Sequence, residues 1–203
     1  MNFSKKSILA TAVFGLFAGS AVAADGVINF KGSIVAASCS MSGGAGTAVG
    51  GAAGNQNIDV DLGKVSIDSL GGVAGGSIAG GNNISLKLDC GQTGTGLTAV
   101  KVKFDPASGS GIDLDNPSLL KVTGTATGVG IGIYNSAGKL LNLSANESID
   151  TPLVATPGKD KDGKDITTYS ADLNLRAAYV KAGSTAPKAG TANGTLPFTI
   201  TYN

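Results

Sequence analysis

The 203-residue chain has no histidine and no tryptophan, and only two cysteines and two methionines. Without histidine there is no Ser-His or Cys-His pair and no imidazole metal ligand, which removes the commonest acid–base chemistry. Charge is scarce as well: 15 Lys+Arg against 14 Asp+Glu, 14% of residues in all. Such a balance offers no basic field to a nucleic acid, and it is not the highly charged composition of a disordered chain. Glycine is the outlier, with 32 residues where an average share of about 7% would give far fewer. The composition is that of a Gly-rich, β-leaning chain in which catalysis is not expected.

Residues 1–23 read as a secretory signal. Lys5 and Lys6 form the positive start, Ile8 to Ala18 an apolar run, and Ala21-Val22-Ala23 the small-residue cleavage pattern. The run is too short to span a bilayer. Removing it takes two basic residues and no acidic one, tipping the balance to slightly negative, and takes Phe3, Phe14 and Phe17 with it. Few aromatics then remain for stacking on glycans or bases. Export also gives Cys39 and Cys90 a meaning. An even pair in an oxidising route forms one structural disulfide by default, and neither a metal pair nor a nucleophilic thiol finds supporting residues.

Alternation of period two runs along the rest of the chain. It is clear in Ile58–Leu62, in Ile84–Cys90, and in Val100, Val102 and Phe104. Val129, Ile131 and Ile133 continue it with glycines between, and Leu140, Leu141 and Leu143 follow the turn Asn135–Gly138. Leu173, Leu175, Ala177 and Tyr179 form another set, and Phe198, Ile200 and Tyr202 the last. No stretch has an apolar stripe of helical period and length. Short strands with frequent turns predict a β-sandwich or barrel. Two Gly/Ala-rich stretches, Gly43–Asn55 and Gly71–Asn83, have nothing to bury and are read as flexible surface loops.

Motifs that carry chemistry elsewhere fail here. Gly128-Val129-Gly130-Ile131-Gly132 has evenly spaced glycines and no following helix, so it is a strand with one small-residue face rather than a nucleotide loop. Asp160, Asp162 and Asp165 are out of register with a calcium loop, and the lysines between them indicate a solvated turn. No cofactor or metal is expected.

The informative segment precedes Cys39. Ile28, Phe30, Gly32 and Ile34 share one parity; the apolar set then shifts to Val35, Ala37 and Cys39. One flat strand cannot bury both sets on the same side. Either a β-bulge absorbs the shift, or the residues up to Ile34 bury against something other than their own core. Periodicity by itself favours the bulge. Gly32 marks a place where another group approaches closely.

At this point the chain resembles the chaperone–usher fimbrial subunits of the type 1 fimbrial protein family. The likeness rests on Phe30–Cys39, on Asp61-Leu62-Gly63 and Leu86–Cys90, and on Gly128–Ile131 and Ala177–Tyr179. It is most specific at the end, where Tyr202 is penultimate and Gly190 is fourteenth from the C-terminus. The resemblance implies an all-β, incomplete immunoglobulin-like sandwich with one intradomain disulfide, completed by donor-strand exchange. It implies an organisation of signal peptide (1–23), donor-strand extension (24–34) and pilin domain (35–203). Ile28, Phe30, Gly32 and Ile34 would enter a neighbour's groove, which reverses the preference for a bulge. Gly190, Phe198, Ile200 and Tyr202 would form the groove strand that a periplasmic chaperone first covers. The expected protein is not an enzyme. It is a structural pilin, polymerised at an outer-membrane usher into an adhesive surface fimbria that meets a host receptor only indirectly. A minor, adaptor or tip-adhesin role is the alternative, although a tip adhesin needs a further domain for which the mature length leaves no room.

Overall fold

A computed structural model describes residues 39–45, 47–52, 55–70 and 81–203. The expected signal (1–23) and extension (24–34), with Ile28, Phe30, Gly32 and Ile34, lie outside the described residues. Eleven strands follow in order: β1 Ser40–Gly43, β2 Ala48–Ala52, β3 Asn55–Asp59, β4 Asn82–Gly91, β5 Ala99–Phe104, β6 Leu120–Lys121, β7 Val129–Tyr134, β8 Ser148–Pro152, β9 Val154–Lys159, β10 Asp165–Lys181 and β11 Phe198–Tyr202. No α-helix occurs among the described residues, nor any helix long and apolar enough to cross a membrane.

The larger sheet runs β1-β4-β10-β7-β6, with β9 pairing an end of β10; the smaller runs β11-β5-β8, and β2-β3 form a hairpin of their own. All these pairings are antiparallel. The alternation read from the sequence is what fills the space between the sheets. Leu86, Leu88 and Cys90 of β4 and Leu173, Leu175 and Ala177 of β10 are buried with Val100, Val102 and Phe104 of β5 in one cluster. Direct cross-strand neighbours such as Leu173 and Leu86 share a face because side chains repeat every second residue. Full burial of each such leucine stabilises the sandwich by roughly 1.5–3 kcal/mol.

The glycines of β7 have a packing reason. Ile131 and Ile133 face the main core, while Gly130 and Gly132 face the other way, under a smaller cluster of Leu119, Tyr134, Ala178, Val180 and Ala182. A Cβ on Gly130 would stand 2.9 Å from the Leu119 Cβ, and one on Gly132 2.9 Å from the Tyr134 ring. The small face is the floor on which this second layer rests.

Gly43–Asn55 is not the flexible loop expected from its composition. It holds the end of β1, all of β2 and the first residue of β3, with Val49 opposite Ile58 and both packed against the core. Thr47 is buried; its hydroxyl accepts the Ser85 N–H at 3.1 Å and donates to the Asn83 carbonyl at 3.4 Å. Backbone pairing needs no apolar side chains, so composition alone misjudged it. Of the second stretch, residues 71–80 lie outside the described residues.

Three local features follow from turn chemistry, the first two of them departures from the expected strands. The Ile58–Leu62 alternation stops as strand at Asp59, and the Asp61 carboxylate then accepts the Gly63 N–H in an Asx turn. Leu140 forms one isolated bridge to Tyr134, whereas Leu143 opens a short 3₁₀ turn capped by Asn142. Asp160 spends its carboxylate on the N–H groups of Asp162 and Lys164, closing the β9–β10 hairpin.

Candidate assembly groove

β11 alternates Phe198, Ile200 and Tyr202, each half-buried, with exposed Thr199 and Thr201. Among the described residues it pairs only with β5, placing Phe198 opposite Phe104, Ile200 opposite Val102 and Tyr202 opposite Val100. These three partners are 8%, 2% and 0% exposed. The same apolar face is therefore sealed on β5 and left partly open one strand further out. An edge strand presents unpaired N–H and C=O groups to any strand that fits beside it.

Edges are commonly blunted with charge or proline, and three of the edges here are. β8 carries Asp150 and Pro152, β9 carries Pro157 and Lys159, and β6 carries Lys121. β11, β1 and β2 of the separate hairpin carry neither. The β11 and β1 edges belong to different sheets, and they meet at one end. The Cys39 N–H donates to the Tyr202 hydroxyl oxygen at 3.2 Å. Cys39 is in turn bonded to Cys90 of β4, with Cα atoms 4.0 Å apart, and no free cysteine is present among the described residues. Phe198, Ile200, Tyr202 and the disulfide thus gather along one seam. The Cys39–Tyr202 contact spans 163 residues, and no local pattern could have announced it.

Gly190 does not join them. It lies eight positions before β11 begins, in a connection that runs beside residues 123–127 through the bridges Thr123–Asn193 and Thr127–Lys188. The family resemblance placed it with the groove strand, but its contacts tie it to Thr125 and Ala126. A Cβ there would come within 2.4 Å of the Ala126 nitrogen and 2.5 Å of the Thr125 carbonyl carbon. Backbone atoms must move to admit it, so Gly190→Ala is expected to cost about 1–3 kcal/mol. A urea midpoint equal to that of the parent protein would refute this.

The seam is electrically quiet. β11 bears no ionisable group other than Tyr202, and the ion pairs Lys101–Asp150, Lys139–Glu147 and Lys159–Asp165 have exposed partners. Burial pushes the Tyr179 phenol above its ordinary range, and the Asp61 carboxylate pushes it further. That hydroxyl stays protonated and donates to the Ala192 carbonyl at 2.5 Å, holding the connection against β10. Among the described residues no group of three or more His, Cys, Asp or Glu side chains is placed to hold a metal. The arrangement is suited to taking up a strand.

Comparison with known proteins gives the family and the fold. The sequence model of the family described as fimbrial protein matches residues 28–203. The chain is 32% identical to long polar fimbria protein A of Salmonella typhimurium over 204 residues, covering 98% of this chain and 97% of that one. It is 33% identical to the type-1 fimbrial protein subunit of Serratia marcescens over 201 residues, 96% of each. Among solved structures, a chaperone–usher pilus superposes with a TM-score of 0.52 at 22% identity, over 89% of this chain and 96% of its own.

Proposed function

The chain belongs to the fimbrial protein family, and on that premise we propose that its groove takes the N-terminal extension of a second copy. It is a structural subunit, exported and built into an extracellular surface fibre, in a family of pilins and not of enzymes. In the reading proposed here, residues 24–34 of one subunit add as a strand beside β11 of the next. Backbone hydrogen bonds supply affinity, and alternate side chains supply register. A head-to-tail contact of this kind does not close on itself and generates a filament. Before assembly a periplasmic chaperone occupies the same edge, and an outer-membrane usher exchanges it for the extension.

The observation that carries the reading is β11 itself: an edge strand without charge or proline, whose three apolar side chains are half-covered while their partners on β5 are buried. Tyr202→Ala, or deletion of residues 198–203, is expected to abolish capture by the chaperone while export and cleavage proceed. Pull-down of the chaperone from periplasmic extracts measures this. Truncated subunits that co-purify with it at the parent yield would disprove the assignment.

A further inference from the structure

We propose that the Tyr202 hydroxyl is an end-stop: it bars the groove at one end and so sets the register of the strand that enters. The inference rests on the donor-strand reading above and adds a specificity-determining residue to it.

Both sides of the Cys39–Tyr202 hydrogen bond are held. On one side Cys39 is 6% exposed and fastened to Cys90 in β4. On the other, Tyr202 pairs with Val100, and the chain just beyond it is pinned to β5 and its lead-in. The Asn203 N–H donates to the Ala99 carbonyl at 3.0 Å, and the Asn203 carbonyl accepts the Thr98 N–H at 2.7 Å. The tyrosine is therefore a crossbar between two fixed posts, not a loose terminal side chain.

The opposite end of β11 has no such bar. Before Phe198 the Pro197 carbonyl accepts the Asp105 N–H at 2.8 Å, a bond directed to the β5 side. Among the described residues no other hydrogen bond links β11 with Cys39 or β1. The groove is closed at Tyr202 and unbarred at Phe198. A strand lying between the banks keeps pairing past Phe198 but has to end or turn away at Tyr202, where the Cys39 N–H is already engaged. Register matters because a shift of one residue turns every side chain to the other face. An end-stop is a direct way of excluding that shift.

The test compares the parent subunit with Tyr202→Phe, which keeps the ring and loses only the hydroxyl. Three synthetic peptides are titrated against each: residues 26–34, the same lengthened at the N-terminus (24–34), and the same lengthened at the C-terminus (26–36). For the parent, one extension should tighten binding by about fivefold or more, as two added strand hydrogen bonds can. The other should change it by less than about twofold. In Tyr202→Phe both extensions should tighten binding, and amide exchange at Cys39 should accelerate by about tenfold or more. A general loss of stability would weaken all three peptides alike and would not remove the asymmetry. Equal gains from both ends in the parent, an asymmetry unchanged in the variant, or unaltered exchange at Cys39 would each overturn the proposal. If no peptide binds either protein, the donor-strand reading fails and takes the register role with it. The Cys39 exchange rate then still reports whether the crossbar exists.

Discussion

Replacing Cys39 or Cys90 with serine is expected to lower the unfolding free energy by about 4 kcal/mol, the chain-entropy value for a loop closed by residues 51 apart. Whole domains are stable by only about 5–15 kcal/mol, and a sandwich with an open edge starts from the low side of that range. Periplasmic accumulation should therefore fall sharply. The position of the bond adds to its effect. It anchors the residue that opens β1 to the interior of β4 and holds the amide to which Tyr202 is bonded, so losing it slackens one bank of the groove as well as the fold. Denaturant titration of the oxidised and reduced protein, beside the two serine variants, measures the effect. Free thiols titrating in the intact purified protein would contradict it, as would serine variants with an unshifted midpoint.

What could be read from the sequence was whatever obeys a period of two and buries one parity. Ile84–Cys90, Val100–Phe104, Leu173–Tyr179 and Phe198–Tyr202 each became a strand or part of one, with the expected face inward. β9 escaped because Val154–Lys159 is exposed at every position; its hairpin with β10 makes it a strand, not burial. β2 and the first half of β3 escaped because glycine, alanine and asparagine show little parity, while the buried Thr47 that secures them counts as polar in any composition. Gly190 was noticed for its place in the chain, yet its role is a close approach to Thr125 and Ala126 that only three dimensions reveal. One bank of the groove was legible in β11. The link between its two banks was not, since the Cys39–Tyr202 bond joins residues from opposite ends of the described chain.

Gly32→Leu is expected to leave the subunit folded and bound to its chaperone but to stop one subunit from adding to another. The apolar parity changes between Ile34 and Val35, which separates the face of Ile28, Phe30, Gly32 and Ile34 from that of Val35, Ala37 and Cys39. Within the first set only Gly32 has no side chain. If these residues occupy a neighbour's groove, the glycine falls where its walls close in, and a leucine there is overpacked at a cost of about 1–3 kcal/mol or more. The loss is felt at every junction of a fibre, so a modest penalty per contact removes the polymer. A β-bulge within a self-contained first strand leads to the opposite result, a damaged monomer with no separate assembly defect. Chaperone-bound subunits mixed with peptides covering residues 24–38, with and without the substitution, distinguish the two. The parent peptide should displace the chaperone and the Gly32→Leu peptide should not. Equal displacement by both would mean that position 32 meets no wall, and that the register assigned to the extension is wrong.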